Sequence, residues 1–216
     1  MSKDAILGRI RDSLSGNTIA SSAVSYASPM KITEKDLRSE YIKNQIANKS
    51  IVYEADRNSV YDKVDEILKS LEAKKILCNL DISIDNKKLK GDYNVIDYDK
   101  TVDETRGELF GIDTSIVEAR CGVANLGIVC LTSNEQAPRL SSLVTNNCIF
   151  LLKKESIVEN LFEATEFAKS FEEKRSSSKV LPSNIIFVAG PSRTADIELQ
   201  AVFGVHGPRN TYVILY

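Results

Sequence analysis

A chain of 216 residues, 43% of them hydrophobic, can bury about 70% of the surface its unfolded form exposes, so one core carries it without disulfide or metal staples. With 28 Lys and Arg against 30 Asp and Glu, the net charge of -2 gives no electrostatic footprint for nucleic acid or for an anionic membrane. Charges interrupt the opening MSKDAILGRIRDSL, and nowhere do about 18 apolar residues run together, so the chain reads as cytoplasmic with no membrane span.

The first predicted element is a helix over DAILGRIRDSL, with Ile6, Ile10 and Leu14 in one stripe beside Leu7, ending at Ser15-Gly16-Asn17. NTIASSAVSYASP reads as a linker. Thr33 then stands as the N-cap of a second helix, EKDLRSEYIKNQI, with Leu37, Tyr41 and Ile42 apolar. Residues 1–49 form a helical N-terminal arm on this reading, a candidate for docking or for pairing copies into a homo-oligomer. The alternative is packing of the arm across its own sheet.

Residues 50–216 read as one α/β domain. Apolar runs at Ile51–Tyr53, Ile76–Leu80, Asn94–Tyr98, Leu126–Leu131, Cys148–Leu152, Ile185–Ala189 and Tyr212–Tyr216 alternate with helical stretches. Several lack the polar alternation of a half-exposed strand, which implies a mainly parallel sheet covered on both faces. VYDKVDEILKSL puts Val60, Val64, Ile67, Leu68 and Leu71 on one helical face, and SIVENLFEATEFAKSF does the same with Ile157, Leu161, Ala164, Phe167 and Ala168. KSFEEKRSSSK, ending at Lys179, reads as a solvated charged connection.

Cys78, Cys121, Cys130 and Cys148 include no C-x-x-C pair, and one histidine is too few to complete a metal set, so isolated packed thiols are expected. Gly122 and Gly127 fall in GVANLG, which lacks the opening of a dinucleotide fingerprint.

Polar residues crowd into the last two loops. Ile185–Ala189 runs into GPSRTADIE, then come a short amphipathic stretch, GVHGPR and the terminal run. This reads as strand, loop, helix, loop, strand, with Gly190, Ser192, Arg193, Thr194, Asp196 and Glu198 at the strand-to-helix turn and His206 and Arg209 in the turn that follows. Loops held by a rigid scaffold are where binding groups collect, and parallel sheets gather ligands beyond the carboxyl ends of their strands. Ser192 or Thr194 can cap the helix. Asp196 and Glu198 in its first turn oppose a phosphate there, so a carboxylate gripped by Arg193 or Arg209, with hydroxyls on Ser192 or an acid, fits better. Pairing of Arg193 with Asp196 or Glu198, merely to stiffen the turn, is the competing reading. His206 is either a general acid or base, with Glu198 as the other proton-moving candidate, or a hydrogen-bonded hinge of the GVHGPR turn.

The passage GPSRTADIELQAVFGVHGPRNTYVILY resembles the C-terminal signature of the lactate utilization protein C family, the stand-alone members of the LUD domain group. The resemblance extends through RLSSL (Arg139–Leu143), Cys148–Leu152 and DAILGRIRDSL. It implies a three-layer Rossmann-like α/β fold with a mainly parallel sheet, of the sort shared by glucosamine-6-phosphate isomerases, ribose-5-phosphate isomerases and coenzyme A transferases. It also implies a non-redox subunit of an L-lactate oxidation system whose iron-sulfur clusters sit on partner subunits and not on this chain, and the small carboxylate read from the loop residues would be its ligand. Where relatives read A-E-T-G-T, this chain has Ala124-Asn125-Leu126-Gly127-Ile128. An Asn cannot form the acyl anhydride of a coenzyme A transferase, so such an enzyme would need Glu118 or another acid. A free-standing isomerase or transferase acting on a small anion, or a scaffold without a ligand, is the alternative.

Overall fold

The computed structural model describes residues 2–15, 30–99, 102–177, 181–194 and 202–216. In chain order the elements are α1 (Lys3–Ser15), α2 (Leu37–Ala47), β1 (Ile51–Glu54), α3 (Val60–Ser70), β2 (Lys75–Cys78), β3 (Asn94–Asp97), α4 (Val102–Leu109), β4 (Thr114–Glu118), β5 (Cys121–Val123) and β6 (Ile128–Ser133). They continue with β7 (Asn147–Leu152), β8 (Ile157–Val158), α5 (Leu161–Ser176), β9 (Asn184–Val188), β10 (Arg193–Thr194), β11 (Val202–Phe203) and β12 (Asn210–Leu215).

Six strands form the central sheet in the order β1-β12-β7-β4-β2-β3, every neighbouring pair parallel. Of its middle strands β7 and β12 are continuous apolar runs, whereas β4, TSIVE, mixes hydroxyls and an acid with two apolar residues and was not among the expected strands; all three are buried because helices or a second sheet cover each side. On one face Val60, Val64, Ile67 and Leu68 of α3 pack against Ile76, Ile116, Ile149 and Ile214. On the other, Tyr41 of α2 joins Val117, Phe150, Leu152 and Val213 with Val129 and Leu131 of a smaller sheet. Leu109 at the end of α4 packs with Leu77. The result is a three-layer α/β architecture, with α5 closing the outer side of the smaller sheet through Ala164 and Ala168 against Cys121, Val123 and Cys130.

The smaller sheet, β8-β5-β6-β9, is where the structure departs from expectation. Ile185–Ala189 is not a parallel core strand: β9 pairs antiparallel with β6 at the edge of this sheet and is only half buried. An apolar run does not reveal which sheet it joins. Ile157 does not sit on a helix face; Ile157–Val158 is a short strand beside β5, and α5 begins after Asn160, whose side chain accepts from Glu163 N–H at 3.0 Å. Nor is Lys169–Ser176 a solvated connection. It is the end of α5, where Glu172 is buried.

Asp36, not Thr33, caps α2, accepting from Ser39 N–H at 2.7 Å, because Thr33 is engaged by Glu40. α2 covers the sheet through Tyr41, whereas α1 buries none of its residues and leaves Ile6, Ile10 and Leu14 exposed. The expected linker after α1 lies outside the described residues, as does the amphipathic stretch between β10 and β11.

Candidate functional site

The C-terminal loops are anchored to α2. Gly190 has φ +73°, and a Cβ there would lie 2.0 Å from Asn48 O, so the chain passes directly over the end of that helix. Asn48 Nδ2 donates to Leu126 O at 2.7 Å and to Gly127 O at 2.8 Å, while Asn44 Nδ2 donates to Ala124 O at 2.9 Å. The turn carrying the buried Asn125 is thereby clasped to the same helix, and its backbone N–H bonds Glu159 O at 3.1 Å.

Beyond Gly190 the two loops are tied into one knot. Ser192 N–H donates to Pro208 O at 2.8 Å, Gly204 N–H donates to Ser192 O at 2.9 Å, and His206 N–H donates to Ser192 Oγ at 3.2 Å. The Ser192 hydroxyl is therefore taken up by the second loop, while the segment that Thr194 was expected to cap lies outside the described residues. Arg193 and Thr194 are extended and pair antiparallel with Phe203 and Val202, and cross-strand pairing satisfies their backbone. Arg193 Nη2 donates to Ala189 O at 3.3 Å, leaving its side chain exposed, and Arg209 and His206 are exposed as well. Gly190, Ser192, Arg193, Thr194, His206 and Arg209 are thus gathered together, while Asp196 and Glu198 lie outside the described residues.

This knot stands at the amino edge of the central sheet, since Arg209 leads into β12 and its N–H donates to Asn146 O, just before β7, at 2.7 Å. Beside it is a cavity of about 440 Å³ whose walls are Leu109, Phe110, Leu140, Leu143, Val144 and Val205, with Thr145, Asn146 and His206 as its polar margin. Neither Arg193 nor Arg209 is among the described residues lining it.

The opposite edge holds groups that the C-terminal motif did not announce. Glu118 ends β4 nearly buried and accepts from Ser83 N–H at 3.0 Å, Ser83 Oγ at 2.9 Å and Tyr216 OH at 2.5 Å. Tyr216 follows β12, and burial together with the Glu118 charge pushes its hydroxyl pKa up. Ser83 and Tyr216 line a crevice of about 280 Å³ with Arg57, Val60, Tyr61, Ile84 and Lys153. The signal that finds this place is positional: residues just past the ends of β1, β2, β4, β7 and β12 share the carboxyl edge of a parallel sheet.

A further buried network crosses between layers. Arg120 pairs with Asp81, lies 3.7 Å from Glu172 Oε1, donates to Thr132 Oγ1 at 2.8 Å and stacks over Phe171 at 4.6 Å. It fastens β4 to β6 and α5 and uses both acids structurally. Among the described residues no group of three His, Cys, Asp or Glu stands where a metal ion could be held, and no helix is long and apolar enough to cross a membrane.

Compared with known families, residues 38–216 match the LUD domain. The chain belongs to the LUD domain family. Among relatives of this LUD-domain chain is an uncharacterized protein of Neisseria meningitidis serogroup B, 32% identical over 122 residues, 55% of this chain and 49% of the relative. Lactate utilization protein C of Oceanobacillus iheyensis is 34% identical over 104 residues, 48% of this chain and 43% of that protein. The namesake from Halalkalibacterium halodurans is 36% identical over 104 residues, 48% of this chain and 44% of the relative. The matched stretches span less than half the length of these relatives. A crystal structure of a DUF162 family protein from Deinococcus radiodurans superposes with a TM-score of 0.61 at 14% identity, over 86% of this chain and 99% of that one, a likeness of fold.

Proposed function

We propose that this LUD-domain chain serves lactate utilization as a non-redox subunit that docks, through its C-terminal knot, onto iron-sulfur subunits of an L-lactate oxidation system. The similarity to proteins named Lactate utilization protein C supports the pathway. One observation carries the docking role: the cavity beside His206 is walled by apolar side chains that remain open to solvent, Phe110 being 77% exposed with Leu143 and Val205 also exposed. Exposed apolar surface rimmed by polar groups marks an interaction site. Arg193 and Arg209 stand exposed on the same knot but outside the cavity lining, which suits a charged rim around a protein contact better than a closed clamp on a carboxylate.

The test is purification of the tagged chain from its own host grown on L-lactate, with identification of co-eluting proteins and an iron assay. Iron-sulfur proteins are expected with the unmodified chain and lost with Phe110→Asp, whose exposed position leaves the fold intact. A chain that elutes alone and free of iron would refute the proposal.

A further inference from the structure

The crevice at the carboxyl edge plays no part in that docking. Four groups line it from different loops, Arg57 after β1, Ser83 after β2, Lys153 after β7 and Tyr216 after β12, and Glu118 at the end of β4 stands behind Ser83 and Tyr216.

Their hydrogen-bond states decide what can complement them. Ser83 Oγ and Tyr216 OH each donate their only hydrogen to Glu118, so toward the crevice both hydroxyls present lone pairs alone. They require a donor from whatever enters. Arg57 and Lys153 offer the reverse, since a guanidinium and an ammonium donate and cannot accept. Lys153 makes no ion pair among the described residues. Arg57 faces Glu155 at 3.9 Å, but both side chains are mostly exposed, and so loose a pair contributes little and yields to a less hydrated anion. Val60 and Ile84 complete the wall with hydrocarbon. The volume of about 280 Å³ falls at the small end of ligand pockets and leaves no room for a large cofactor.

We infer that this crevice binds a small organic anion that carries a hydroxyl group, its charge held by Arg57 and Lys153 and its hydroxyl donating to Ser83 and Tyr216, which the buried Glu118 keeps oriented as acceptors. A hydroxycarboxylate and a sugar phosphate share this chemistry. The site is independent of the docking knot at the other edge of the sheet, and it survives whether or not the chain assembles with partners.

Calorimetric titration of the full chain separates the sources and tests the assignment. One arm compares L-lactate with propionate, its counterpart without the hydroxyl; the other compares ribose 5-phosphate with inorganic phosphate. In at least one arm the hydroxylated anion binds about tenfold or more tighter than its partner, the discrimination expected when the acceptor of the buried Tyr216 is left unpaired. Lys153→Ala weakens that binding by about tenfold with the thermal stability of the free chain unchanged. Tyr216→Phe leaves the anion bound but reduces the preference for the hydroxyl. Phe110→Asp, which abolishes docking, leaves all of these affinities in place. Absence of binding by both hydroxylated anions at millimolar concentration, equal binding of both members in each arm, or indifference to Lys153→Ala would overturn the inference.

Discussion

Replacing Gly190 by Ala tests whether the C-terminal knot is built on α2. A left-handed φ of +73° costs an alanine about 1 kcal/mol. Its Cβ would also stand 2.0 Å from Asn48 O, a backbone atom, so the turn after α2 must move. That movement breaks the two bonds from Asn48 Nδ2 to Leu126 O and Gly127 O, each contributing about 1 kcal/mol. The expected loss is about 3 kcal/mol, which for a chain of this size lowers Tm by roughly 6–12 °C. Urea unfolding followed by circular dichroism measures it. Gly107→Ala is the control: it lies in α4 with nothing within 4 Å of the new methyl, so it is expected to gain about 0.5–1 kcal/mol. A Gly190→Ala protein within 1 kcal/mol of the parent would show that α2 does not support the knot.

Arg120→Ala leaves Asp81 beneath the surface without its cation and Glu172 with Arg175 alone, and thermal denaturation should show a loss of about 3–5 kcal/mol; a loss below 1 kcal/mol would mean that the network is dispensable. All four cysteines are buried, and burial pushes the Cys78 and Cys148 thiols up to about 12. At pH 8 a thiol reagent should therefore find none of them in the native chain and all of them in guanidinium chloride, whereas rapid native labelling would contradict this packing. Glu40 is held down from 4.5 to about 2, chiefly by Thr33 N–H, with Glu34 N–H, Asn44 and the Thr33 hydroxyl adding to it. Because the folded pKa is the lower one, the stability from this group is fully present above pH 4.5 and drains away as pH falls toward 2. Glu40→Gln should be less stable than the parent at pH 7 by urea titration, with the gap closing between pH 4.5 and 2; a gap independent of pH would exclude this linkage.

The central sheet was legible because its chemistry is unambiguous. Runs such as Cys148–Leu152 and Tyr212–Leu215 are apolar at every position, as a strand covered on both faces favours, although Ile185–Ala189 shows that an edge strand can carry the same pattern. The face of α3 was legible for the equivalent reason, its apolar residues recurring at the helical period. The smaller sheet was not. β5 and β8 have three and two residues, too short for any period to register, and their pairing is settled by tertiary contacts that leave no local trace. The same holds for Ser192, whose polar side chain near a turn reads as a helix cap but whose oxygen instead receives the N–H of His206, fourteen residues away.

The site was half legible. The density of polar residues in GPSR and GVHGPR did identify loops that meet, yet the expectation that they lie beyond the carboxyl ends of parallel strands is corrected by their place before β7 and β12, at the amino edge of the central sheet. That edge matters physically. In a parallel sheet, helices that follow strands turn their N-termini, with free N–H groups and partial positive charge, toward the carboxyl edge, as α3 does just past Arg57. The amino edge receives helix C-termini, as α4 delivers Leu109 and Phe110 beside His206, and their carbonyls oppose an anion. Charge therefore favours small anions at Arg57, Lys153 and Tyr216, and leaves the knot at Ser192 and His206 better suited to apolar contact with another protein. Two loops rich in polar residues drew attention to the amino edge, whereas Glu118, one acid closing the strand TSIVE, was the local sign of the other. Its partners Ser83 and Tyr216 come from 35 and 98 residues away in sequence, and no spacing rule joins residues that only the sheet brings side by side.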